Sequence, residues 1–174
     1  MSTQPIRAIP ADETTELGFD EAMDGRVSEL LQRYPTTRAA LLPILWLCQE
    51  RWGWVPPDVM RAVAARIGES PAFVEGVVTF YTMYFTAPPA QYVLQVCTTL
   101  SCDVCGAREL LEGVRKKLGI GPGERTPDGR FQVIGVQCLG ACGNAPVIQI
   151  NDDYFENLTP GKLDAVLDEL GRKE

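Results

Sequence analysis

The sequence predicts an α/β protein: an N-terminal helical bundle followed by a compact domain of strands and helices. Three observations carry this expectation. Apolar residues between 19 and 79 recur at helical spacing, with Pro, Ser and Gly at the segment ends. After the pair Pro88-Pro89 the period changes to strand-like alternation around one long amphipathic segment. The element order in that second half is strand, helix, strand, strand, strand, helix, which is a crossover followed by a hairpin and a covering helix. The boundaries that follow are 1–20 as a mobile leader, 21–88 as the helical bundle and 89–174 as the strand-bearing domain.

Each element has a local reason. From Phe19 to Tyr34, Val27, Leu30, Leu31 and Tyr34 fall on one helical face, and Pro35 stops the run. Residues 37–52 read as a second helix with Leu41, Ile44, Leu45 and Cys48 inward and Pro43 in its early turns. Pro56-Pro57-Asp58 opens a third helix that ends at Ile67 before Gly68. Ser70-Pro71 caps a fourth helix through about Thr79. Gln91 to Cys97 alternates as a strand. Gly106 to Leu118 is a helix with Leu110, Leu111, Val114 and Leu118 inward and Gly119 beyond it. Pro127-Asp128-Gly129 is a turn. Strands follow at Phe131–Val136, at Pro146–Ile150 and, after Asp152-Asp153, near Tyr154. Thr159-Pro160 caps a closing helix with Leu163, Val166, Leu167 and Leu170 inward. This order is the minimal thioredoxin-like pattern.

Composition excludes several functions. The chain has 174 residues and a net charge of −7. The charge is spread: residues 1–88 hold 7 basic and 11 acidic side chains, and residues 89–174 hold 9 and 12. An acidic chain without a basic stripe lacks the phosphate-neutralising surface that nucleic-acid binding needs. It also lacks attraction for anionic membrane surfaces. The longest nearly unbroken apolar run, Leu41 to Cys48, is too short to span a bilayer, so no membrane insertion is expected. The acidic N-terminus lacks the features of a secretion signal, which predicts a cytosolic location. There is no histidine. That removes a Rieske centre, a His-containing zinc finger and His-based nucleophile or base chemistry.

Six cysteines in a reducing compartment point to metal or redox chemistry over structural disulfides. Four lie in two tight pairs, Cys97-x4-Cys102 and Cys138-x3-Cys142, with 35 residues between the inner members. Cys48 sits among leucines on an inward helix face and reads as a small hydrophobe. Cys105 competes for a ligand position, because Cys97-x4-Cys102-x2-Cys105 matches the first three ligands of a plant-type ferredoxin. That assignment leaves Cys138 or Cys142 without a role, whereas the two-pair assignment leaves only Cys105 spare. If the strands ending at Cys97 and near Cys138 are parallel neighbours, both loops lie at one sheet edge. Loops of four and three residues suit the two irons of a 2Fe–2S rhomb better than one tetrahedral zinc ion. A dithiol site would need Cys102-x2-Cys105 and would break up the four-ligand set.

The loops carry further cues. Gly140 and Gly143 allow main-chain N–H groups to approach sulfur, and Thr98, Thr99 and Ser101 add hydroxyl donors. Residues 131–151 contain no charge at all, and the other loop carries only Asp103. Four thiolates on an oxidised 2Fe–2S core leave a net charge of −2, and one electron makes it −3. Without a nearby cation, the expected potential lies toward the low end of the roughly −700 to +450 mV range of such clusters. Trp46, Trp52 and Trp54 read either as core or as an apolar docking surface.

Several runs together resemble one family. VCTTLSC (96–102), LGIGPGERTPDGRF (118–131), QCLGACGNAPVIQIND (137–152) and LTPGKLDAVLDEL (158–170) are similar to the thioredoxin-like 2Fe–2S subunit, type E, of NADH:quinone oxidoreductase, respiratory complex I. FYTMYFTAPPAQYVLQVC (80–97) fits the same family's junction between halves. The resemblance covers roughly residues 20–170. It implies a helical bundle followed by a thioredoxin-like ferredoxin domain, with Cys97, Cys102, Cys138 and Cys142 holding one 2Fe–2S cluster. It implies a partner subunit that carries FMN and oxidises NADH, with the cluster close to that flavin. It also implies a complex bound peripherally on the cytoplasmic side of the inner membrane. No G-x-G-x-x-G fingerprint is present, so NADH and flavin are expected on the partner only, and no catalytic residue on this chain. Cys105 is not a ligand in that family. Two alternatives stay open at this point. One is the same module in a cytosolic NAD-linked hydrogenase or formate dehydrogenase. The other is a zinc-stabilised interaction module.

Overall fold

The computed structural model describes residues 3–13 and 17–172. The chain divides into two units: residues 7–89, and residues 90–174 together with the N-terminal residues up to Ile6. The leader expected at 1–20 is therefore shared between them. Within the sheet unit, the Ile6 N–H donates to Gln91 O and the Asn151 side-chain amide donates to Gln4 O. Within the helical unit, the Ile9 N–H donates to Trp52 O and the Trp54 indole N–H donates to Ile9 O. The leader's residues 1, 2 and 14–16 lie outside the described residues.

The helical unit holds α1 (Glu21–Arg33), α2 (Leu41–Trp52), α3 (Pro57–Ile67) and α4 (Pro71–Phe80). Asp20 caps α1 by accepting the Met23 N–H at 2.8 Å, and Ser70 caps α4 by accepting the Phe73 N–H. Helix α2 does not begin at 37 as the spacing suggests. A 3₁₀ turn over Arg38–Ala40 precedes it, so Pro43 falls in its first turn, where a missing N–H costs no helical bond. Val27, Ile44, Leu45, Cys48, Val59, Val63, Val74 and Val78 form the core. Each fully buried aliphatic side chain contributes roughly 1.5–3 kcal/mol by leaving water. Tyr34, expected inward, is exposed because α1 ends before it. Trp52 and Trp54 are core, whereas Trp46 is 39% exposed.

Two polar side chains close this unit. The buried Gln49 amide donates to Met83 O at 2.8 Å and accepts the Phe85 N–H at 2.7 Å. The Tyr84 hydroxyl donates to Leu42 O. The irregular run after α4 is thus held by satisfied polar groups, as burial requires. Gly53 ends α2 at φ +78°, and a Cβ there would come within 2.5 Å of the Ala8 Cα. Only glycine fits both demands.

The sheet unit has four strands in the order β2-β1-β3-β4. They are β1 (Tyr92–Cys97), β2 (Phe131–Val136), β3 (Ile148–Ile150) and β4 (Asp153–Phe155). β1 and β2 are parallel, and β3 and β4 follow antiparallel. The crossover holds a short α5 (Leu100–Val104) and the amphipathic α6 (Ala107–Leu118); α7 (Pro160–Arg172) closes the chain. Leu94, Val96, Val133, Ile148 and Ile150 pack with Leu110 and Val114 of α6 and Leu163, Leu167 and Leu170 of α7. β1 is the central strand and is buried on both faces, so its burial does not alternate as expected. β3 is shorter than the predicted Pro146–Ile150, because Pro146 lacks an N–H to pair. Among the described residues no helix is long and apolar enough to cross a membrane.

Candidate metal centre

Cys97 is the last residue of β1 and stands opposite Val136, the last residue of β2. Parallel pairing therefore brings the Cys97–Cys102 loop and the Cys138–Cys142 loop to the same sheet edge. The Thr98 N–H and hydroxyl both donate to Val136 O, at 2.9 and 3.0 Å, and lock the two strand ends together. Cys102 does not merely precede a helix; it lies inside α5, which puts its side chain under the loop. Cys142 opens a 3₁₀ turn over Cys142–Asn144.

Cys97 and Cys102 are each 2% exposed and share an apolar pocket with Ala107 and Val147, rimmed by Leu139, Ala141 and Ala145. Burial pushes the Cys97 thiol up. The N–H of Thr99, the Cys102 thiol, the N–H of Leu139 and the Thr99 hydroxyl act the other way, and the net direction is down. Cys102 goes up to about 11 through burial first, then through its bond to Cys97 and the nearby Cys97 and Cys142 charges; the Val147 N–H opposes this. Two contacts thus tie the first loop to residues 137–139: the Leu139 N–H on Cys97 sulfur, and the Cys97 thiol donating to Gln137 O at 3.8 Å. Cys138 is more exposed, and its sulfur accepts the Gly140 N–H at 3.3 Å.

All six cysteines are free thiols. Cys105 caps the C-terminus of α5, exposed and outside the apolar pocket. Cys48 is buried in the other unit, where desolvation pushes its thiol up to about 12. Among the described residues no three Cys, Asp or Glu side chains gather closely enough to hold one ion. The donor set of two thiol pairs with N–H donors aimed at sulfur fits a di-iron cluster.

The hydroxyl donors divide. Thr99 serves Cys97, but Thr98 spends its hydroxyl on Val136 O. Asp103, the lone charge in the first loop, is bound bidentately by Arg108 at 2.7 and 2.9 Å. Sequence reasoning missed Leu139 as a donor and Tyr154, whose hydroxyl donates to Leu139 O at 3.2 Å. It also missed the Asn144 amide on Glu156 at 2.9 Å. No periodicity announces contacts between a loop and a distant edge strand.

A profile of the thioredoxin-like 2Fe-2S ferredoxin family matches residues 27–171. The chain belongs to this family. NADH-quinone oxidoreductase subunit 2 of Thermus thermophilus is 44% identical over 154 residues, covering 87% of this chain and 85% of that protein. The second E-type subunit of the Rhizobium meliloti NADH-quinone oxidoreductase is 42% identical, covering 82% of this chain and 84% of that protein. The E-type subunit of the Aquifex aeolicus enzyme is 37% identical, covering 88% of this chain and 96% of that protein. Among solved structures, NAD+-reducing NiFe-hydrogenase in the H2-reduced state superposes with a TM-score of 0.69 at 22% identity. That match covers 77% of this chain and 22% of the hydrogenase chain, and it shows the shared ferredoxin-family fold alone.

Proposed function

We propose that this chain is the E-type electron-transfer subunit of an NADH-quinone oxidoreductase, with one 2Fe–2S cluster held by Cys97, Cys102, Cys138 and Cys142. The relatives named above, at 37–44% identity over most of both chains, support the assembly. The observation that carries the site is the meeting of two cysteine loops at the ends of parallel β1 and β2, with Cys97 taking N–H donors from both loops.

When bound, a 2Fe–2S cluster supplies one-electron chemistry. The chain's own residues do the rest. Thr99 and Leu139 place N–H donors on Cys97, Val147 on Cys102 and Gly140 on Cys138, and at Cys97 the donors outweigh burial and hold the thiol below its ordinary value. Ala107 and Val147 pack against Cys97 and Cys102 and shield both from water. A partner subunit would hold FMN and NADH and supply the electrons; this chain would bind neither of those two groups and carries no catalytic residue of its own. The assembly sits peripherally on the cytoplasmic side of the membrane.

Anaerobically purified chain should be brown, with two irons and two acid-labile sulfides. One zinc and no iron would sink the reading in favour of a structural module. Affinity capture from the native host separates the assemblies: a flavin-binding NADH dehydrogenase subunit with quinone-reducing partners is expected. A hydrogenase or formate dehydrogenase subunit in that place would transfer the module to the other complex.

A further inference from the structure

We propose that Tyr154 is a positioning residue that tunes the sulfur of Cys138 through the peptide group joining Leu139 to Gly140. The inference rests on the ligand reading above and deepens it. The Tyr154 hydroxyl donates to the Leu139 carbonyl at 3.2 Å, and the Gly140 N–H donates to Cys138 Sγ at 3.3 Å. These are the two ends of one planar, conjugated amide. A donor on its oxygen draws electron density away from nitrogen and strengthens the N–H as a donor to sulfur.

The geometry is built to hold this relay. Tyr154 lies on β4, in register with Gln149 of β3, so the sheet sets the position of its ring. Gly140 has φ +72°, a conformation that other residues rarely adopt and that turns the chain just after this amide. The far end of the loop is tied to the segment just beyond β4. There the Asn144 amide donates to Glu156, and the Asn157 N–H donates to Asn144 O at 2.8 Å. The β3–β4 hairpin thus acts as a brace for the Cys138–Cys142 loop. Residues 131–151 carry no charge. Within that stretch the response of Cys138 sulfur to added negative charge falls to dipoles, and the Gly140 amide is aimed at it.

An electron on the cluster adds negative charge to the sulfurs, so a stronger N–H donor favours the reduced form. Removing the phenol oxygen should weaken it. A change of about 10–30% in a charge-assisted hydrogen bond corresponds to about 1.3- to 4.5-fold in the ratio of reduced to oxidised cluster at a fixed potential. For one electron that is a fall of about 7–40 mV.

The test is a potentiometric titration of the holoprotein followed by electron paramagnetic resonance, on wild type, Tyr154→Phe, Tyr81→Phe and Cys138→Ser. Tyr154→Phe should keep its iron and sulfide content, show a lower midpoint and a changed signal shape. Tyr81→Phe, in the helical unit, should match wild type. An unshifted midpoint in fully loaded Tyr154→Phe would overturn the relay, provided Cys138→Ser loses or distorts the cluster. Loss of iron and sulfide in Tyr154→Phe would overturn it too, since the phenol would then be structural support. An unaltered cluster in Cys138→Ser would instead bring down the ligand reading beneath it.

Discussion

Cys97 pairs in parallel register with Val136, two residues before Cys138. This pairing, and not proximity in sequence, places the two cysteine loops side by side. Single Ser substitutions at Cys97, Cys102, Cys138 or Cys142 should therefore lose or distort the cluster. Cys105→Ser and Cys48→Ser should retain it, since one is exposed beyond the pocket and the other lies in a separate unit. Iron and sulfide analysis with visible absorption decides; colour loss in Cys105→Ser would support the plant-type assignment.

The spare thiols should differ in reactivity. Burial holds Cys48 up at about 12, so at pH 8 it remains a protonated, shielded thiol. Cys105 is exposed. Mass spectrometry after brief alkylation of the folded holoprotein should find Cys105 modified well before Cys48. The reverse order would contradict the placement of Cys48 in the core.

Gly53 and Gly68 both terminate helices at positive φ, +78° and +74°. They differ in their surroundings: a Cβ at Gly68 meets nothing, and one at Gly53 meets the Ala8 backbone at 2.5 Å. Gly68→Ala should cost about 1–2 kcal/mol from the left-handed conformation alone. Gly53→Ala should cost at least ~1 kcal/mol more, because the backbone near Ala8 must shift. Urea denaturation monitored by tryptophan fluorescence measures the difference; equal losses would argue against the close approach.

Two exposed ion pairs set an acid limit on the helical unit. Asp20 is held below its ordinary value of 3.8 by its bond from Arg51 and the Met23 N–H, and Glu69 below 4.5 by Arg38. In both cases the folded form binds its proton less readily than the unfolded chain. The contribution to stability is thus complete above the ordinary values and is lost as pH falls through the lower, folded ones. Both groups are solvent-screened, so the effect is small. Melting temperatures between pH 6 and 2.5 should fall less steeply in Asp20→Asn and Glu69→Gln than in wild type. An unchanged slope in both variants would sink this account.

Removing the Gln49 amide should loosen a specific segment. Gln49→Leu keeps most of the volume but leaves Met83 O and the Phe85 N–H without their partner. An orphaned group that is fully buried costs roughly 1–3 kcal/mol, and these part-buried ones cost less. Hydrogen exchange should accelerate at Phe85 before it does at Val63 in the core. Uniform acceleration across the unit would point to a general loss of packing instead.

What could be read without coordinates was whatever repeats or is punctuated locally. The inward faces of α2, α3, α6 and α7, the caps at Ser70 and Gly119, and β2 at Phe131–Val136 follow from periodicity and stop residues. The ligand candidates were equally legible, because four thiols in two short loops leave few chemical options. The turn of helix around Cys102 was not, since five residues are too few for a period to register. The burial of β1 on both faces was hidden as well, because a central strand loses its alternation to its neighbours. Only tertiary structure decided which donors meet which sulfur: Leu139 reaches Cys97 across the sheet edge, and Tyr154 braces Leu139 from β4. The physical reason is range. Side-chain period is a property of a few consecutive residues, whereas a hydrogen bond between loop and edge strand exists only once the strand order has brought them together.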